Sequence, residues 1–244
     1  MTPISRTKLF AAVFGLLGLT TPAFTAYADD TTYVNDANGR TKTVTGVGWS
    51  VVYTYDAAGN ITQIVRTAPM ALLGVVSRKT HGTAGTYDLP LDQTAPVTGN
   101  VTVEPRNVTG AHSIVFQFNS TITAAGTASI VDSSLAAIAG ATASTSASGT
   151  EVSVALTGIP DNIRVKVTLA GVNGGGAYAS SLGFLKGDVN NSRSVNSSDI
   201  SSVKASSGQP ATSSNFLRDL NFSGDVNSSD ISIVKAQSGL SLVP

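Results

Sequence analysis

Apolar and polar residues alternate with a period of two over much of the chain's second third. Ile163, Val165, Val167 and Leu169 interleave with Arg164, Lys166 and Thr168, giving one apolar face and one wet face. The same pattern runs through Val101 and Val103, through Ile114, Phe116 and Phe118, and through Val152, Val154 and Leu156. Gly- and Asn-bearing breaks, such as Gly171-Val172-Asn173-Gly174, separate the runs. Near the C-terminus the spacing changes. Ile200 and Val203, and again Ile231 and Val234, stand three apart on one helical face, and Gly208 and Gly239 follow where a left-handed cap would stop a helix.

Several short alternating strands with turn signals between them predict a mainly β fold. Its centre is an antiparallel β-sandwich of immunoglobulin-like type over residues 76–184, followed by a small α-helical segment. The chain has no cysteine, so only the architecture of an immunoglobulin domain is implied, and stability must come from a core, a bound metal or both. Residues 67–75 read as a connector with an apolar middle. Ahead of it lies a repeat with a period of 20, pairing Tyr33 with Tyr53, Asp36 with Asp56 and Gly39 with Gly59. Each unit predicts a strand, a tight Asp-x-x-Gly turn and a second strand, hence one or two β-hairpins over 31–66.

The N-terminus has Arg6 and Lys8, an apolar run of eleven residues from Leu9 to Leu19, and Ala26-Tyr27-Ala28 before Asp29. That order predicts a signal peptide over 1–28, cleaved after Ala28. The run is too short for a membrane span of about 20 residues, so the expected product is secreted or cell-surface, with no membrane insertion after cleavage. Without Arg6 and Lys8, 13 basic residues face 15 acidic ones, a net charge of −2 that gives no footprint for nucleic acid or an anionic membrane. Nothing in the spacing of Asp88, Asp92, Glu104, Asp132, Glu151 and Asp161 singles out a catalytic pair, and His81 and His112 each stand alone. The chain reads as non-catalytic.

The candidate chemistry is in a phrase that the chain states twice. Residues 188–208 and 219–239 align without gaps, with 15 of 21 positions identical. The six differences avoid positions 1, 3, 5, 9 and 12, the side-chain ligand positions of an EF-hand calcium loop, in which position 7 lends a backbone carbonyl. In loop one these are Asp188, Asn190, Ser192, Asn196 and Asp199, with Ser194 at position 7. In loop two they are Asp219, Asn221, Ser223, Asn227 and Asp230, with Asp225 at position 7. All are hard oxygen donors of the kind that Ca²⁺ takes, so two calcium ions are expected. Val195 and Val226, at position 8, are placed to pair across facing loops. Two departures weaken the sites: Arg193 stands at position 6, where Gly makes the sharp turn, and Ser at position 5 leaves two side-chain carboxylates per loop. The expected Kd is roughly 10⁻⁴ to 10⁻³ M.

A calcium loop with only an exit helix, present twice in Gly187 to Lys204 and Arg218 to Lys235, resembles the dockerin type I module over residues 187–244. The stretch from Tyr53 to Val65 similarly resembles the YD repeat of the Rhs family, over residues 31–66. The first resemblance implies a cohesin-like partner, contacted at loop positions 10 and 11 and by a basic residue on each helix: Ser197, Ser198 and Lys204, and Ser228, Ser229 and Lys235. The expected function is calcium-dependent protein attachment or assembly outside the cell. Two alternatives stand beside it: a carbohydrate-binding or scaffold component of a polysaccharide-degrading system with a glycan partner, and a structural surface or adhesin protein.

Overall fold

The structure, a computed structural model, describes residues 4–5, 31–46, 49–67, 70–107 and 110–244. The expected signal peptide lies outside the described residues apart from Ile4–Ser5. The chain divides into two compact units, Met1–Met70 and Ala71–Pro244.

In the first unit β1 (Ile4–Ser5), β2 (Thr32–Asn35), β3 (Thr41–Gly46), β4 (Trp49–Tyr55) and β5 (Ile61–Thr67) form one antiparallel sheet in chain order. The two Asp-x-x-Gly turns are built alike. The Asp36 carboxylate accepts from the Asn38 and Arg40 amides at 3.0 and 2.9 Å, and the Asp56 carboxylate accepts from the Asn60 amide at 2.8 Å. Gly39 and Gly59 take φ of 79° and 94°, the left-handed region that closes each turn. The expected hairpins are therefore present, and pairing of β3 with β4 joins them into one sheet.

The second unit contains β6 (Leu72–His81), β7 (Gly85–Pro90), β8 (Thr102–Glu104), β9 (His112–Phe118), β10 (Thr127–Asp132), β11 (Thr142–Ser148), β12 (Glu151–Thr157), β13 (Ile163–Ala170) and β14 (Ala177–Phe184). One sheet runs β11-β12-β9-β6-β7 and the other β10-β13-β14-β8. Rings from the two sheets meet: His112 of β9 lies 4.1 Å from Phe184 of β14, and Phe118 lies 5.0 Å from Tyr178. Ile114, Phe116, Phe118, Val152, Val154, Leu156, Val165, Val167 and Leu169 are all buried, as their alternation predicts. Each such side chain contributes about 1.5–3 kcal/mol on leaving water. The buried His112 ring has no hydrogen-bond partner, and burial pushes its pKa down to about 3, so it packs as a neutral ring.

Every pairing in these two sheets is antiparallel except one. β8 joins β14 in parallel, with Val103 opposite Gly183, so both strands leave the sheet at the same end, where the Gly187 amide donates to the Pro105 carbonyl. There the chain continues into α1 (Ser197–Ala205), β15 (Gln209–Pro210), β16 (Asp225–Val226) and α2 (Ser228–Gln237). Both helices start and stop close to the positions that the sequence marks, and Gly208 and Gly239 take φ of 85° and 95°.

This C-terminal segment does not fill its core alone. Val101, Val103 and Leu185 share one buried cluster with Val189, Val195, Val203, Leu220, Val226, Val234 and Leu242. The tail then returns to the outer face of the second sheet. Leu242 packs on Gly183, where a Cβ would stand 2.5 Å from its methyl carbon, so a larger residue there would make the Leu242 side chain shift. Arg164 donates from Nε to the Val243 carbonyl at 2.7 Å, and the Val243 amide donates to Asn162 at 3.0 Å. Arg164, predicted on a wet face, is only 8% exposed because the tail covers it.

Candidate metal centres

Each duplicated loop closes on itself through its own side chains. In loop one Asp188 accepts from the Ser192 amide at 2.9 Å and from the Arg193 amide at 2.7 Å, one on each carboxylate oxygen. Asn190 Oδ1 also accepts from the Ser192 amide, and the Ser192 hydroxyl donates to the Ser194 carbonyl at 2.9 Å. Asp199 accepts from the Asn190 and Asn196 amides at 3.3 and 3.0 Å. Loop two repeats these bonds on Asp219, Asn221, Ser223, Asp225, Asn227 and Asp230, with the Ser223 hydroxyl on the Asp225 carbonyl at 2.9 Å. The structure thus draws all six predicted positions of each loop into one hydrogen-bonded ring.

Positions 9 and 12 also work for the helix. Asn196 and Asn227 are N-caps, accepting from the Ser198 and Ser229 amides at 2.8 Å, while Asp199 and Asp230 close a capping box on the cap residue's own amide. Each cap contributes about 1 kcal/mol. Sequence reasoning assigned these residues to metal alone.

The loops are also tied reciprocally. Ser194 of loop one bridges to Ser241, beyond α2, while β16 of loop two pairs with β15, beyond α1. The Gly239 amide donates to Val195 and the Gly208 amide to Val226, both at 2.8 Å. Val195 and Val226 both belong to the shared cluster, and the backbone of each loop pairs with the segment leaving the other helix. Arg193 does take a left-handed φ, 66°, where loop two has Gly224 at 95°. A side chain in that region costs about 1–2 kcal/mol.

The donor set fits a hard cation. Asp188, Asp199, Asp219 and Asp230 are all buried. Burial, with the charge of Asp199 added, pushes the Asp188 carboxyl up, and burial with the charge of Asp219 does the same to Asp230, despite the amides that oppose both shifts. Two carboxylates repelling each other inside an oxygen-lined ring are what a divalent ion relieves. Among the described residues no cluster of three or more His, Cys, Asp or Glu is placed to hold a metal. The remaining donors of each loop are amide, hydroxyl and carbonyl oxygens.

Asp219 differs from its counterpart. Burial would raise its carboxyl, but the His81 hydrogen bond and the Gly224 and Ser223 amides outweigh that and hold it below the ordinary value. His81 is the last residue of β6, on the strand face that also carries Val75 and Ser77, and is fully buried. Its Nδ1 lies 2.9 Å from Asp219 Oδ2 and its Nε2 lies 3.0 Å from Arg106 Nη1. Arg106 is itself held by Glu104 through two bonds of 2.7 Å, and Ser77 donates to Glu104 at 2.5 Å. Burial raises the Glu104 carboxyl, yet the charge and hydrogen bonds of Arg106 prevail and keep it below its usual value. Sequence reasoning left His81 as a lone residue in a polar stretch. Carrying the period of two onward from Val75 would have placed it on the inner face.

The predicted partner residues Ser197, Ser198, Lys204, Ser228, Ser229 and Lys235 are all exposed, three on each helix. The acids of the β-sheet region are taken up elsewhere. Arg78 holds Asp88 at 2.8 Å and Glu151 at 2.7 Å, Asp92 and Asp132 cap their own turns, and Asp161 accepts from the Lys186 amide. Its aromatic rings are engaged too, Tyr87 stacking on Phe216 and Tyr178 meeting Phe118.

The second unit thus joins its β-sheets to two pseudo-equivalent loop-and-helix units. Comparison with known families agrees: residues 186–237 match the Dockerin type I domain, and residues 36–68 match the RHS Repeat. Dockerin type I domains are calcium-binding attachment modules that typically bind cohesin domains and occur in extracellular proteins, and neither matched module is catalytic. No curated protein and no solved structure matches the chain. Among the described residues no helix is long and apolar enough to cross a membrane.

Proposed function

We propose that this is an exported, non-catalytic modular protein whose residues 187–244 bind two calcium ions and attach it to a cohesin-like domain. In this reading residues 1–28 are a signal peptide removed after Ala28. A hairpin repeat over 31–66 and a connector over 67–75, whose last four residues already belong to β6, precede an immunoglobulin-like sandwich over 76–184. Asp188, Asn190, Ser192, Ser194, Asn196 and Asp199 hold one ion, and Asp219, Asn221, Ser223, Asp225, Asn227 and Asp230 hold the other. The exposed Ser197, Ser198 and Lys204, and their counterparts Ser228, Ser229 and Lys235, face the partner.

The observation that carries this reading is the duplicated ring of oxygen donors around two buried carboxylates in a segment that matches the dockerin family. A bound ion supplies neutralising charge. The chain's own residues supply the shell, cap the helices and set the exposed hydroxyls and lysines on them. Calorimetric titration of CaCl₂ into the chelator-stripped full chain tests it, with melting followed in parallel. Two binding events and a higher melting temperature are the expected result; no heat and an unchanged melt would overturn it. A type I cohesin domain added to the calcium-loaded chain then tests the partner, and the reading expects binding that chelator abolishes.

A further inference from the structure

The first aspartate of loop two reaches outside its own module for a hydrogen bond. Arginine has no acceptor, so the 3.0 Å contact makes His81 Nε2 the acceptor from Arg106 and leaves the ring proton on Nδ1, pointed at Asp219 Oδ2. The tautomer is therefore set by the sandwich, through the buried Ser77, Glu104 and Arg106 that hold the ring's far side. Rings pack around it: Phe222 of loop two at 5.4 Å, Tyr87 at 5.5 Å and Phe216 at 6.2 Å. The β6–β7 turn closes the same contact. Gly82, with φ of 49°, lies so near that a Cβ would stand 2.6 Å from the Ser223 carbonyl, and the Tyr87 hydroxyl donates to Ala211 at 2.9 Å.

We propose that His81 is a positioning residue for the cation site of loop two, so that this site is built jointly by the sandwich and the C-terminal module. The inference rests on the calcium reading above. A carboxylate that must offer one oxygen to an ion while the other stays fixed gains from a donor locked on the second oxygen, and loss of such outer partners typically weakens metal binding about 10–100-fold. Among the described residues loop one has no equivalent. Asp188 is held by the Ser192 and Arg193 backbone of its own loop, and the sandwich meets that loop through Asn191, which accepts the Val103 amide at 2.7 Å and is not a predicted ligand.

The two amide isosteres of histidine separate positioning from packing. Asn places a donor near the Nδ1 position, while Gln places its amide near Nε2. In CaCl₂ calorimetry on the full chain, His81→Gln should weaken one of the two binding events about tenfold or more and leave the other unchanged, and His81→Asn should recover most of that loss. Equal weakening of both events, no weakening in a folded variant, or better recovery by Gln would overturn the proposal. If the wild-type chain itself takes up no calcium, the calcium reading fails first and this inference with it. Because a buried histidine variant can fail to fold, ¹⁵N NMR of the wild-type imidazoles gives an independent reading. With two histidines in the chain, the expected result is a shift of the His81 Nδ1 resonance on calcium addition that persists in Asp188→Asn. An unmoved resonance at saturation would overturn the proposal.

Discussion

Loop one and loop two share most of their residues and nearly all of their internal hydrogen bonds, yet their first aspartates live differently. Asp188 is satisfied by its own loop, and burial drives its carboxyl up. Asp219 accepts from a histidine 138 residues earlier in the chain and is held down. Position 6 tilts the advantage in the same direction, with Gly224 at ease in the left-handed region and Arg193 strained there. A repeated sequence thus specifies a repeated local ring, while the neighbour against which each copy packs decides how well that ring is preset. On both counts loop two is the better prepared site.

The sharpest way to break this asymmetry is to remove its far support. Arg106→Met leaves Glu104 buried without its cation, a change that costs about 3–5 kcal/mol. Urea unfolding should register that loss, and the calcium step of loop two should weaken while that of loop one persists. A loss below about 1 kcal/mol would mean that the buried pair supports little. A smaller effect is expected from Gly82→Ala, which puts a methyl against the Ser223 carbonyl. Overpacking of this kind costs about 1–3 kcal/mol, and here it should again fall on loop two; an unchanged melting temperature would show that the turn simply moves aside. The smallest change works from the other side. Arg193→Gly relieves a strained φ and should raise stability by about 1 kcal/mol while tightening loop one, narrowing the gap between the sites. A destabilised variant would show that the Arg193 side chain contributes more than its backbone costs.

Much of the candidate site was legible in the sequence because its interactions are short-range. Every bond of the loop rings and capping boxes spans no more than about ten positions, so the spacing of Asp, Asn and Ser carries the geometry. The two hairpin turns were legible for the same reason, as Asp36 and Asp56 bond to residues two to four positions on. The role of Asn196 and Asn227 as helix caps was present in the same letters and was hidden only by the stronger metal pattern. His81 was not legible as a supporting residue, because nothing near it in the chain names its partners.

By itself, then, the sequence determined which residues face inward along β9, β12 and β13, where α1 and α2 begin and end, and which oxygens gather in each loop. Period, cap and turn are properties of neighbouring residues and need no knowledge of the rest of the chain. Only the tertiary structure decided that β8 runs parallel to β14, that Val101, Val103 and Leu185 complete the core beneath the two helices, that the tail buries Arg164, and that His81 meets Asp219. Those outcomes depend on which distant surfaces come together to remove apolar area from water, and a buried polar group inside such a contact must then find its partner wherever the packing has placed one.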